Sequence, residues 1–199
     1  MTVLHDTLIK ICGITRKSDG IYAFERGADI IGVVRAPGSP RYAPDETIRS
    51  LHEERIPLAG VYTHLEDIGG EAAYLDYIQL HFRHNADIIR SVRKEYSVRV
   101  ISVALSTDPG ILKKLYEYQS GGADLLLVEF ANGFSQEAER AKSLRQNLRF
   151  GAAGQIQHAD LPLIRSLRFS MIDVSRSLEA SPGIKDIEKM KTFIMEALN

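Results

Sequence analysis

Eight short apolar runs, each followed by a stretch of helical period, recur along these 199 residues. No other feature restricts the fold as much. The runs are Ile9 to Cys12, Asp29 to Val34, Leu58 to Tyr62, Tyr77 to Leu80, Val98 to Ala104, Asp124 to Val128, Arg149 to Ala152 and Met171 to Val174. Their length and near-continuous apolar character mark strands buried on both faces. Between them, Ile21, Phe24 and Ala28 form the inward stripe of a helix capped by Thr15. A Pro- and Gly-rich loop leads to a helix from Pro44, where proline suits a first turn. Ile88, Val92 and Tyr96 share one helical face. Asp108-Pro109 opens a helix that turns Ile111, Leu115 and Tyr118 inward, and the last helix buries Ile187, Met190, Ile194 and Ala197. The helix expected between Thr63 and Leu75 is interrupted by Gly69-Gly70.

Strict strand–helix alternation implies right-handed βαβ units and a parallel sheet. Eight units within one domain, residues 1–199, predict a closed (β/α)8 TIM barrel, small and with short loops. The competing fold is an open doubly wound sheet, but no Gly-x-Gly-x-x-Gly fingerprint follows the first strand.

A net charge of −1, with Lys and Arg scattered, gives no reason to expect a nucleic-acid or membrane partner. The single cysteine cannot form an internal disulfide, which points to a reducing cytoplasm. Met1 to Thr7, with His5 and Asp6, lacks the apolar core of a leader. No apolar run approaches the roughly 20 residues that span a bilayer. The six His are dispersed with no Cys/His ligand cluster, so neither metal nor cofactor is expected.

In a parallel α/β protein the strands' carboxyl ends carry the chemistry. The only cysteine, Cys12, stands at such an end, two residues after Lys10 and on the same face. A neighbouring cation favours the thiolate and so would make this thiol a base. Lys10 has a second expected partner in Asp173, because first and last strands adjoin in a closed barrel. Free cysteines are more often small buried hydrophobes, so the neighbouring motifs matter.

The octapeptide Leu8-Ile9-Lys10-Ile11-Cys12-Gly13-Ile14-Thr15 resembles the opening of the phosphoribosylanthranilate isomerase family, barrel enzymes of tryptophan biosynthesis. Ala36-Pro37-Gly38-Ser39-Pro40-Arg41-Tyr42 is similar to that family's Ala-Pro-x-Ser-Pro-Arg-Tyr loop. Gln79-Leu80-His81 is similar to its Gln-Leu-His-Gly motif, with Phe82 in place of the glycine. At the end of the sixth strand Glu129 stands where the family has aspartate. Ala152-Ala153-Gly154-Gln155 replaces Ala-Gly-Gly-Leu, and Asp173-Val174-Ser175-Arg176-Ser177-Leu178-Glu179 replaces Asp-Val-Ser-Ser-Gly-Val-Glu. Ser181-Pro182-Gly183-Ile184-Lys185-Asp186 matches closely and leads into the last helix.

This resemblance implies an Amadori rearrangement with Cys12 as general base and Glu129 as general acid. A carboxylate at a strand end can be a proton donor if burial raises it toward neutral. Arg41 would hold the anthranilate carboxylate, Asp173 would lie near sugar and amine, and Lys10, Gln79 and His81 would line the substrate. Ala153, Gly154, Arg176 and Ser177 would hold the phosphate. The expected partner is a small phosphorylated substrate, bound by a monomer or homodimer. Two alternatives stay open: another sugar-phosphate isomerase or lyase on the same barrel, or a non-catalytic paralogue that binds a phosphorylated ligand.

Overall fold

Every expected strand forms, and nearly every strand residue is buried, as unbroken apolar runs require. The computed structural model describes residues 7–198. The strands are β1 (Leu8–Ile11), β2 (Ile30–Val34), β3 (Leu58–Tyr62), β4 (Tyr77–Leu80), β5 (Arg99–Leu105), β6 (Leu125–Glu129), β7 (Gly151–Ala153) and β8 (Met171–Val174). They are parallel and close into a barrel in chain order, with β1 against β8. The reading of Met1 to Thr7 as free of a leader's apolar core falls, Thr7 apart, outside the described residues.

Asp29 and Asp124 stand just outside the strands they were expected to open, for a physical reason. Each turns its carboxylate back to accept the first free N–H of a neighbouring strand: Asp29 from Ile9 at 2.7 Å, Asp124 from Val100 at 2.8 Å. Asp76 does the same for Leu58 at 2.9 Å.

Side-chain alternation separates two cores. Ile30, Ala59, Tyr77, Ile101, Val103, Leu127 and Met171 fill the barrel's interior. Their neighbours, among them Ile9, Ile31, Ile78, Leu126 and Ile172, point outward to the helices.

The helices are α1 (Lys17–Glu25), α2 (Asp45–Glu53), α3 (Ala86–Tyr96), α4 (Ile111–Ser120), α5 (Ala138–Arg145), α6 (Leu161–Leu167) and α7 (Ile187–Leu198). Between β3 and β4 two short 3-10 turns, Leu65–Asp67 and Gly70–Tyr74, replace the expected helix. Two adjacent glycines cost such a short segment too much helical stability. Thr15 is not a helix cap, since its hydroxyl donates to the Gly183 carbonyl at 2.5 Å. Phe24 and Ile187 are more than a third exposed, and α7 buries Phe193 beside Met190 and Ile194 instead. In α4, Ile111, Leu115 and Tyr118 are buried as expected. In α3 it is Ile89 with Val92 that is buried, while Ile88 and Tyr96 pack at the margin.

After β8 the chain makes a 3-10 turn, Arg176–Leu178, and an unforeseen antiparallel hairpin of β9 (Glu179–Ser181) and β10 (Ile184–Lys185). No helix among the described residues is long and apolar enough to cross a membrane.

Candidate active site

The carboxyl ends of the strands open into a cavity of about 580 Å³. Cys12, Arg41, Gln79, His81, Glu129, Ala153, Gly154, Asp173, Arg176 and Ser177 all line it. Of the residues singled out in the sequence only Lys10 is absent, because it lies beneath the floor with no solvent exposure. The β1–β8 register sets Lys10 beside Asp173, and Nζ donates to Oδ2 at 2.8 Å. Burial alone would lower the Lys10 ammonium, but Asp173 and Cys12 together hold it above its ordinary value.

Cys12 shares that inward face. The space comes from Gly32 on β2, where an added Cβ would lie 2.8 Å from both Cys12 Sγ and Lys10 Nζ. Here the structure corrects the expected thiolate. Burial pushes the thiol up, Lys10 pulls it down, Asp173 adds to the push, and the net direction is upward. Desolvation outweighs the adjacent cation.

Arg41 reaches the rim from the loop after β2. Its Nε and Nη2 donate to the two carboxylate oxygens of Glu179 at 2.8 and 2.7 Å. A guanidinium has five N–H donors, and this pair leaves the Nη1/Nη2 edge for a planar anion. Glu179 also accepts from buried Lys185 at 3.2 Å, and Lys185 donates to the Ser175 carbonyl at 3.1 Å. Neither Glu179 nor Lys185 was singled out as functional, although both stand in strings similar to the family.

The sequence also missed Arg35, which pins the loop at its root. Its Nη1 donates to the Ala43 carbonyl at 2.5 Å, its Nε to Glu71 at 3.2 Å, and its Nη2 pairs with Asp45 at 2.7 Å. Tyr62 donates to the same Glu71 oxygen at 2.9 Å. An arginine among prolines reads as a surface residue, and its acids come from distant elements.

Across the cavity, Glu129 at the end of β6 meets His81 at the end of β4, Oε2 to Nε2 at 2.8 Å. This contact opposes the upward shift that a proton donor needs. The hydrogen bond from His81 holds the Glu129 carboxyl below its ordinary value, against the upward push of burial, and Arg176 adds to the lowering. Gln79 and His81 face the cavity and Leu80 faces the helices, as alternation requires.

The loops after β7 and β8 form the remaining wall. Gly154 has φ +104°, and a Cβ there would sit 2.4 Å from the Phe130 carbonyl oxygen. The glycine retained from the family pattern is thus the indispensable one, while its lost neighbour, Ala153, sits within β7. Ser177 lies in a 3-10 turn without positive φ, so replacement of glycine there strains nothing. Buried Gln79 Oε1, Asp173 Oδ1 and Ser177 Oγ have no partner in the protein, and all three residues line this cavity. These three polar atoms are available to hydrogen-bond with what enters the cavity. No cluster of three or more potential metal ligands occurs among the described residues.

A closed (β/α)8 barrel with a polar cavity at its carboxyl rim defines the class of barrel enzymes. The family model for N-(5'-phosphoribosyl)anthranilate isomerase matches residues 9–196, and the chain belongs to that family. It is 42% identical over 186 residues to the enzyme of that name from Thermoplasma volcanium, covering 93% of each chain. Its fold is similar to monomers generated from the dimeric phosphoribosylanthranilate isomerase of Thermotoga maritima, with a TM-score of 0.83 and 27% identity over 96% of this chain and 98% of that one. It also resembles a phosphoribosylanthranilate isomerase solved with reduced 1-(o-carboxyphenylamino)-1-deoxyribulose 5-phosphate, with a TM-score of 0.78 and 26% identity over 96% and 98% of the two chains.

Proposed function

We propose that this cavity converts N-(5'-phosphoribosyl)anthranilate into 1-(2-carboxyphenylamino)-1-deoxyribulose 5-phosphate, with the residues named above in specific roles. The protein is an isomerase of tryptophan biosynthesis. Its reaction needs a proton for the sugar ring oxygen, so that the ring opens, and a base for the proton on C2. Cys12 Sγ takes the C2 proton. Glu129, with His81 bonded to it, stands where the family's acid stands, and this pair supplies the proton. Arg41 holds the anthranilate carboxylate on the edge that Glu179 leaves open. Asp173 and Gln79 offer their unpaired oxygens to the sugar and amine. The turn at Ala153-Gly154, the Arg176 guanidinium and the Ser177 hydroxyl hold the phosphate.

The observation that carries this assignment is the convergence of thiol, acid pair, arginine and both loops on one cavity. Loss of anthranilate fluorescence on mixing the protein with phosphoribosylanthranilate tests it. Turnover that survives both Cys12→Ser and Arg41→Ala would move the chemistry elsewhere. We assign the work to the cytoplasm, in keeping with the unpaired cysteine. We expect a monomer or a homodimer, which light scattering distinguishes.

A further inference from the structure

Glu129 and Cys12 are shifted in the directions opposite to those an acid and a base need. The His81 hydrogen bond holds the Glu129 carboxyl below its ordinary value, and burial holds the Cys12 thiol above its own. A mechanism with Glu129 as donor and Cys12 as acceptor works against both shifts. The side chain bonded to Glu129 is a second candidate donor on the same cavity wall. His81 spends Nε2 on Glu129 and leaves Nδ1 for a second partner, and its ring lines the same cavity as Cys12. The pair spans from β4 to β6 over the intervening β5, two interstrand spacings or about 9.6 Å. Aspartate, one methylene shorter, would fall roughly 1.5 Å short of that contact on the same backbone.

We propose that His81 is the acid of this isomerase, and that Glu129 is a positioning residue that orients it. This rests on the isomerase reading above. The imidazolium keeps its Nε2 proton on Glu129 and delivers its Nδ1 proton to the sugar ring oxygen. The C1–O bond breaks, its electron pair stays on oxygen, and the amine lone pair forms C1=N. Cys12 thiolate then removes the C2 proton, giving an enol. When the thiol returns that proton to C1, the enol O–H proton goes back to Nδ1 and the ketone forms. No proton is gained or lost overall. The other charged groups around His81 are Arg83 beside it, Asp108 and Lys114 beyond β5, and Arg176 next to Glu129.

The test is a set of kcat and kcat/KM pH profiles on the whole protein, with phosphoribosylanthranilate as substrate. His81→Gln should lower kcat by about 10²–10⁴ with KM nearly unchanged. Its remaining activity should rise with pH and then level off as the thiol ionises. Glu129→Gln keeps an imidazole and should lose less activity than His81→Gln. Glu129→Asp should behave like Glu129→Gln, because it does not reach His81. Near-normal kcat in His81→Gln with abolition in Glu129→Gln would make Glu129 the donor and overturn the inference, leaving the isomerase assignment intact. Absence of turnover in the parent protein would remove the assignment itself. Circular dichroism melting of each variant separates loss of fold from loss of acid. If His81→Gln is unfolded, His81→Asn is read by the same criteria.

Discussion

Lys10 and Asp173 are 163 residues apart and meet at 2.8 Å across the seam where β1 joins β8, with the lysine wholly enclosed. This pair is floor and fastening together. Breaking a buried ion pair on one side strands the other charge, which costs about 3–5 kcal/mol. Lys10→Met should therefore destabilise the protein by about that amount in urea unfolding. Adding Asp173→Asn should recover much of the loss, because the stranded charge is gone. A Lys10→Met variant of unchanged stability would mean that solvent reaches the pair.

Cys12 is the chain's only cysteine, which makes its titration directly observable. Thiolate reacts and thiol does not. Since burial raises the thiol, alkylation by iodoacetamide should increase with pH and break above the ordinary thiol value of about 8.5. Cys12→Ser should lower kcat by about 10²–10⁴ while KM moves less than about tenfold. A break below 8.5 would contradict the dominance of desolvation.

Gly154→Ala presses a methyl group against the Phe130 backbone in a region of φ that disfavours side chains. The loop after β7 should shift, weakening inorganic phosphate as a competitive inhibitor and lowering the melting temperature. Ala153→Gly, at the neighbouring position inside β7, should leave phosphate inhibition unchanged. Equal effects of the two would remove the special role of the turn.

Arg176 is exposed on the cavity rim after β8, where the family has serine. Arg176→Ala should weaken phosphorylated ligands by about 1.5–3 kcal/mol, the range for hydrogen bonds to charged groups. Binding of unphosphorylated anthranilate analogues, followed by calorimetry, should not change. Equal loss for both kinds of ligand would assign the arginine to general charge.

The strand–helix alternation and the inward face of Lys10, Cys12, Gln79 and His81 were legible because they depend on a period of two within four to six adjacent residues. The Lys10–Asp173 pair was legible too, since barrel closure makes β1 and β8 neighbours. Two other things were not. Arg35, Glu71, Glu179 and Lys185 find partners across loops whose paths follow no period. The pKa directions of Cys12 and Glu129 depend on how fully each is desolvated and on a His81 contact from two strands away. Local sequence shows a cation near a thiol but not which effect prevails.

The hairpin β9–β10 has a consequence for how a newly made chain becomes competent. Synthesis runs from the amino end, and folding follows it. Arg41 emerges early, yet the carboxylate that orients it is supplied by Glu179, 138 residues later. Until then its guanidinium is an untethered cation on a solvent-facing loop, with full rotamer freedom still to lose. The thiol, by contrast, follows directly on the first strand. An oriented Arg41 guanidinium is therefore among the last features this chain acquires. A polypeptide halted before β9 carries the Cys12 thiol and still has no carboxylate to orient Arg41.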